Sequence, residues 1–95
     1  MENTPSILHK RDSTRAILNR LAKASGHLES VRRMVEEGRD TVEVLNQLSA
    51  VRAALGSTGK LIFTEEMEKA LDEAIQTGNY ERVHQLNASI GRFIK

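Results

Sequence analysis

Apolar residues recur along the first third of the chain in alternating steps of four and three. The series is Ile17, Leu21, Ala24, Leu28, Val31 and Val35. This spacing places the side chains on one side of an α-helix and is typical of helices that pack against other helices. Gly38 is placed to end the helix in a left-handed cap, and Asp40 with Glu43 forms a capping box for the next helix. Because the connection is short, we expect two antiparallel helices.

A second series of apolar residues predicts the second helix. Its members are Val42, Leu45, Leu48, Val51 and Leu55. The helix then meets Gly-Ser-Thr-Gly at residues 56–59, where each interior glycine costs about 1 kcal/mol relative to alanine. The pattern leaves two structures open: a continuous second helix, or a break after which Thr64 caps a new helix.

Helical spacing continues towards the end of the chain. The apolar positions are Ile62, Met67, Leu71 and Ile75, and then Val83, Leu86, Ile90 and Phe93. Asn79 lies between these two groups and is placed to cap a last helix. Because no segment has the alternation of a strand, we predict an all-α protein.

The predicted lengths have a consequence for assembly. We interpret residues 1–11 as a flexible N-terminal arm and residues 12–95 as a single helical domain. A first helix of about 25 residues is about 38 Å long, and an unbroken second helix exceeds about 50 Å. Two such helices and a short tail cannot enclose their apolar faces within one subunit, so we predict an obligate oligomer.

Composition excludes several classes of function. The chain has 95 residues and no cysteine, which excludes disulfides, thiolate metal sites and thiol redox chemistry. Its histidines, His9, His27 and His84, show no spacing to a nucleophile, and no phosphate loop follows a strand, so we do not expect an enzyme. No apolar run approaches a signal core or a membrane span, and we expect a cytoplasmic protein.

Charge is distributed unevenly although the net charge is only +1. Basic residues dominate positions 10–33, and acidic residues dominate positions 40–81. Arg11 and Arg15 are four apart and Arg20 and Lys23 are three apart, so each pair shares a helical face that an oligomer would repeat. Such a surface suits the phosphate backbone of duplex DNA. Arg52, inside the apolar stretch LSAVRAAL, either faces outward or pairs with an acid.

Carboxylates in the second half of the chain raise the question of a cation site. The group is Glu65, Glu66, Glu68, Asp72 and Glu73. Because Lys69 lies among them, we favour a solvated helix face over a metal site. His27 could supply a ligand, but a lone helical histidine is more often an ordinary polar residue.

The stretch LNRLAKASGHLESVRRMVEEGRDTVEVLNQLSAVRAAL, residues 18–55, resembles the signature region of the CsoR/RcnR/FrmR family of small bacterial repressors. The matching residues are Arg20, Leu21, Lys23 and Gly26, then Met34, Val35 and Glu36, and finally Gln47, Leu48, Ser49, Ala50, Val51, Arg52 and Ala54. LDEAIQTGNYERV, residues 71–83, resembles the start of the family's third helix. The resemblance extends over about residues 11–95.

This resemblance implies a three-helix protomer, an antiparallel four-helix bundle in a dimer, and a disc-shaped dimer of dimers. It favours a continuous second helix. It also implies that operator DNA, in double-stranded form, binds to basic faces of the homotetramer. By position, Arg20, Lys23 and Arg52 would supply the positive charge, with Arg11 and Arg15 as additions.

The chain departs from the family pattern at the sensing positions. Metal-sensing members carry a cysteine at the start of the second helix, and a histidine and a cysteine or histidine further along. The matching positions here are Thr41, Glu66 and Ala70. These residues lack the ligands for Cu(I), Ni(II) or Co(II), so we expect no metal cofactor at these positions. His27 stands where the family has glutamine.

Our leading hypothesis is a homotetrameric DNA-binding repressor with a diverged inducer site. One alternative is a helical assembly module that has lost DNA binding and pairs with related subunits or another protein. A second alternative is a repressor that senses metal through non-standard ligands such as His9, His27 and the glutamates.

Overall fold

The computed structural model describes residues 13–94, which form three α-helices: α1 (Thr14–Glu36), α2 (Thr41–Thr77) and α3 (Glu81–Phe93). No strand occurs among these residues, and the prediction of an all-α protein is confirmed. Helix α2 continues through residues 56–59, so Thr64 is an interior helical position and not a cap. The N-terminal arm predicted for residues 1–11, with His9 and Arg11, lies outside the described residues.

Helix α1 ends in the left-handed cap that Gly38 predicts. Gly38 has a φ of +70°, a conformation that residues with a Cβ rarely adopt. Its backbone N–H donates to the carbonyl of Val35 at 3.1 Å, and the N–H of Arg39 donates to the carbonyl of Met34 at 3.0 Å. This pair of hydrogen bonds is the Schellman arrangement, which satisfies two carbonyls at the end of the helix.

Asp40 caps the start of helix α2, but only half of the predicted capping box forms. Oδ2 of Asp40 accepts hydrogen bonds from the backbone N–H groups of Val42 at 3.0 Å and Glu43 at 3.4 Å. The carboxylate of Glu43 does not return to the backbone of Asp40; it accepts a hydrogen bond from Nη2 of Arg39 at 2.5 Å. An ion pair between Arg39 and Glu43, four residues apart, therefore takes the place of the second hydrogen bond of the capping box.

The connection from α2 to α3 repeats this design. Gly78 has a φ of +78°, and its N–H donates to the carbonyl of Ala74 at 2.7 Å. Oδ1 of Asn79 then accepts a hydrogen bond from the N–H of Glu81 at 3.0 Å. The N-cap residue of α3 is Tyr80 and not the predicted Asn79, but Asn79, one position earlier, still satisfies one N–H group at the start of the helix.

The chain divides into two compact units at the boundary between residues 54 and 55. In the first unit, the predicted stripe of α1 separates into two series with a seven-residue period. Ile17, Ala24 and Val31 are buried, with 4–6% of each residue exposed. The other series is exposed: Leu21 to 41%, Leu28 to 49% and Val35 to 62%. The first unit therefore covers only half of the stripe, and we call Leu21, Leu28 and Val35 the open series.

The second unit has a core of small side chains. Ala70 and Ala74 of α2 and Val83 of α3 form a buried cluster, with Met67 and Leu86 packed against it. Small residues allow two helices to approach closely. No helix within residues 13–94 is long and apolar enough to cross a membrane.

Gly59 lies in the same unit, where the ring of Phe93 occupies the space that a side chain would need. A Cβ at position 59 would overlap this ring. The glycine therefore serves close packing between α2 and α3, and it does not interrupt the helix.

Candidate functional site

The predicted phosphate-binding residues that the structure describes all lie in the first unit. Arg15, Arg20 and Lys23 are exposed on α1, and Arg52 is exposed on α2. Arg11, the fifth candidate, lies outside residues 13–94.

Ion pairs neutralise the arginines near the end of α1. Nη2 of Arg32 lies 2.6 Å from Oε2 of Glu29, and Nη1 of Arg32 lies 2.8 Å from Oε2 of Glu36. Nη1 of Arg33 lies 3.9 Å from the carboxylate of Glu29. The hydrogen bond from Arg32 lowers the pKa of Glu29 below its usual value, and the same bond raises the pKa of Arg32. The positive charge of these arginines is therefore balanced locally.

Three of the predicted phosphate-binding residues are available to an external anion: Arg15, Lys23 and Arg52. Between residues 13 and 94, no ion pair joins Arg15, Lys23 or Arg52 to another residue. Arg20, by contrast, already has an interaction partner. Arg15 and Lys23 are eight positions apart, about 12 Å along α1, with Asn19 between them. The structure thus distinguishes basic residues that are paired with carboxylates from exposed basic residues that are not, a difference that the distribution of charge along the sequence does not show.

Arg52 occupies a different surface of the first unit. It follows Leu48 by four positions and Leu45 by seven, so the three share one helical face. Leu48 is 43% exposed and Leu45 is 55% exposed, whereas Val51, the residue before Arg52, is buried. The sequence left two alternatives open for Arg52, an outward-facing side chain or an ion pair with an acid. In the single chain, Arg52 faces outward. The arginine stands among exposed leucines.

A polar contact joins α1 to α2 within the first unit. Nε2 of His27 lies 2.7 Å from Oε1 of Gln47, a distance at which the ring N–H donates to the amide oxygen. His27 therefore makes a hydrogen bond between the two helices. The sequence pointed to each residue separately and missed the pair, because the contact depends on how the two helices are aligned.

The positions that the sequence resemblance assigns to metal sensing do not carry a donor set for a soft metal. Thr41 offers an exposed hydroxyl group and Glu66 a carboxylate. Ala70 is part of the buried cluster of the second unit. Copper(I) and nickel(II) sites in proteins use thiolate or imidazole ligands, so these residues do not fit them. In the described part of the chain, no three His, Cys, Asp or Glu residues are grouped to hold a metal ion; His9 lies outside it.

Comparisons with known sequences agree with this picture. Residues 13–92 match the profile of the metal-sensitive transcriptional repressor family. The copper-sensing transcriptional repressor CsoR of Mycobacterium ulcerans (strain Agy99) is 37% identical over 67 residues, which cover 70% of this chain and 57% of that protein. CsoR of Bacillus subtilis (strain 168) is 32% identical over 66 residues, covering 70% and 65%. The match thus spans less than two thirds of these curated relatives.

Solved structures share the fold. The nickel-responsive transcriptional regulator InrS superposes with a TM-score of 0.76 at 36% identity, covering 90% of this chain and 97% of that one. The copper-sensing repressor CsoR with Cu(I) from Geobacillus thermodenitrificans NG80-2 superposes with a TM-score of 0.80 at 28% identity, covering 98% and 95%.

Proposed function

We propose that this chain, which belongs to the family of metal-sensitive transcriptional repressors, is a DNA-binding repressor with a diverged inducer site. The family is one of transcriptional repressors and not of enzymes. The observation that carries the proposal is the set of exposed cations, Arg15, Lys23 and Arg52, that no ion pair within residues 13–94 neutralises. Double-stranded operator DNA is the partner that this charge suits, because phosphate contacts supply most of the affinity of such proteins. Arg20 and Arg11 complete the proposed set.

The acting form is a cytoplasmic homotetramer. Two protomers form an antiparallel four-helix bundle, and two such dimers form a disc whose basic faces bind the operator. Support comes from the open series of α1, which a single chain leaves exposed. An apolar series with a seven-residue period is the surface that a partner helix covers in helical bundles.

The inducer differs from that of the copper and nickel sensors. Thr41, Glu66 and Ala70 replace the ligands at the family's sensing positions, and none of the three has a thiolate or imidazole donor for a soft metal. Repression would therefore be released by another effector, or by no effector at all.

The test is an electrophoretic mobility shift with the DNA upstream of the protein's own gene, measured over a series of salt concentrations. Replacing Arg15 and Lys23 together with glutamine removes two phosphate contacts per DNA-binding protomer. We expect the affinity to fall at least about tenfold and the slope of log K against log salt to decrease in magnitude by about 2 for each protomer that contacts the DNA. The matched control replaces Arg32 and Arg33, which are already paired with Glu29, and should change affinity much less.

Three outcomes would contradict the proposal. A flat salt dependence, or an equal loss in both double variants, would exclude the basic surface as the DNA site. No shift at any salt concentration would favour the assembly module. A shift that Cu(I), Ni(II), Co(II) or Zn(II) releases would show that metal sensing persists through ligands such as His27 and His9.

A further inference from the structure

The second unit contains an open cleft between α2 and α3, with a volume of about 170 Å³. Most of its walls are apolar and come from Ile62 and Phe63 of α2 and from Leu86 and Ile90 of α3. An enclosed apolar cavity of about 150 Å³ in a protein holds a benzene molecule. The cleft is therefore large enough for a single aromatic ring with a small substituent.

One end of the cleft is formed by Gly59 and Phe93. The ring of Phe93 lies over the backbone of Gly59, where a Cβ would overlap it. An aromatic side chain in such a wall offers a surface on which a second ring can stack or meet edge to face. This end of the cleft therefore favours a flat ring as its occupant.

Two polar side chains also line the cleft, Glu66 and Ser89, and both already have partners within the chain. Oγ of Ser89 accepts a hydrogen bond from Nη2 of Arg92 at 3.4 Å. The carboxylate of Glu66 lies 3.9 Å from Nζ of Lys69, and Glu66 makes a further interaction. A charged ligand would lose water here without gaining a new partner, whereas a neutral hydrocarbon leaves both contacts as they are.

We propose that this cleft is the effector site of the proposed repressor, and that its effector is a small neutral molecule with one aromatic ring. The effector role rests on the proposed function, but the binding of such a molecule does not. Position 66, which the resemblance assigns to sensing, lies in the wall of the cleft. Leu86 lines the cleft and also packs against the buried cluster that contains Ala70, a second such position.

Helix α2 links the cleft to a proposed DNA contact. It runs without a break from Thr41 to Thr77 and carries Arg52 as well as the cleft residues Ile62 and Phe63. An effector changes DNA binding only if it binds the free and the DNA-bound protein with different affinities. We expect the ring to favour the DNA-free form, so that operator affinity falls about tenfold when the cleft is filled.

Isothermal titration calorimetry of the full chain without DNA tests the site, with toluene as the neutral probe and benzylamine and benzoate as its charged counterparts. We expect one toluene molecule per chain, bound at least about tenfold more tightly than either charged probe. Ser89→Trp places a large side chain at the cleft and should abolish toluene binding. Ala88→Trp changes the preceding residue, which is exposed and does not line the cleft, and should leave toluene binding unchanged.

A second variant removes part of the site instead of filling it. Phe93→Ala takes away the aromatic end wall and should weaken toluene binding at least about fivefold, while circular dichroism reports whether the helices remain folded. The inference is overturned if toluene does not bind at millimolar concentration, if the charged probes bind equally well, or if Ser89→Trp and Ala88→Trp act alike. Binding that appears only after the assembly has been dissociated would assign the cleft to a contact between copies, and would overturn it too.

A mobility shift with the upstream DNA then distinguishes the effector role from the proposed function. With saturating toluene, operator affinity should fall about tenfold in the unmodified protein and in Ala88→Trp, and should not change in Ser89→Trp. Toluene that binds without releasing the shifted DNA overturns the effector role and leaves the repressor function intact. Bound toluene with no DNA shift at all contradicts the repressor function, and the effector role with it.

Discussion

The two units use the same kind of turn but cover their apolar surfaces differently. In the second unit, Ala70 and Ala74 meet Val83, and these small side chains are almost completely buried. In the first unit, the corresponding stripe of α1 uses larger residues, and Leu28 remains 49% exposed. The second unit also exposes large apolar residues, including Leu71 to 41%, Ile75 to 74% and Phe93 to 51%, but these positions do not repeat every seventh residue as the open series does. The first unit is therefore the one that most needs another subunit.

This difference places the proposed assembly and DNA contacts in the same unit. The open series lies on one side of α1, and Arg15 and Lys23 lie on another. Arg52 stands among leucines on α2. A substitution in the first unit is thus expected to affect only assembly, or only DNA binding, when it lies on the side of the helix that makes that one contact.

The largest effect is expected from a charge in the open series. Leu28→Glu would place a carboxylate in an apolar contact between subunits, which costs several kcal/mol per buried charge. We expect the association constant to fall at least about a hundredfold, measured by sedimentation equilibrium. Ala22→Glu, at an exposed position of α1 outside the series, is the control and should keep the assembly. If Leu71→Glu dissociates the assembly and Leu28→Glu does not, the comparison of the units is reversed.

Arg52 gives the next largest effect. Arg52→Ala should lower operator affinity about tenfold, or about 1.4 kcal/mol, because a charged hydrogen bond to phosphate is lost. The tetramer should persist, because the leucines around position 52 remain. Arg52→Lys keeps the charge and should recover most of the affinity. Dissociation of Arg52→Ala in light scattering would assign the arginine to the contact between subunits.

Local chemistry explains which parts of the fold could be predicted from the sequence. The cap at Gly38 and the capping of α2 by Asp40 depend on residues within one or two turns, and both form, although Glu43 does not complete the capping box. The resemblance of residues 18–55 to the repressor family is confirmed as well. The division of the stripe into a buried and an open series was not predictable, because Ile17 and Leu21 fit the same period. Which of the two residues is buried depends on where the neighbouring helix packs against α1.

In the candidate site too, contacts between residues close in the sequence could be predicted, whereas contacts between helices could not. The pairs of Arg32 with Glu29 and Glu36 follow i,i+3 and i,i+4 spacing, and the sequence could have indicated them. The contact of His27 with Gln47 joins two helices and required their relative alignment.

Two glycines of α2 provide a matched test of packing in the second unit. Gly56 has open space where a side chain would be, whereas a Cβ on Gly59 would meet Phe93. Gly56→Ala should stabilise the protein by up to about 1 kcal/mol, because alanine favours helix. Gly59→Ala gains the same propensity but displaces the ring, so it should be about 1 kcal/mol less stable than Gly56→Ala. Equal thermal unfolding of the two variants would show that Phe93 does not pack on Gly59.

The smallest effect is expected from Glu29, whose ion pair distinguishes the first unit at low pH. Because the hydrogen bond from Arg32 lowers its pKa, the folded state binds this proton less readily than the unfolded state. The stabilisation is therefore complete above the usual glutamate pKa of about 4.3, and it is lost as the pH falls below that value. Glu29→Gln should lower the melting temperature slightly at neutral pH, and the difference from the unmodified protein should disappear in acid and shrink in 1 M salt. A difference between Glu29→Gln and the unmodified protein that stays the same from neutral pH to acid would mean that the Arg32 pair contributes nothing.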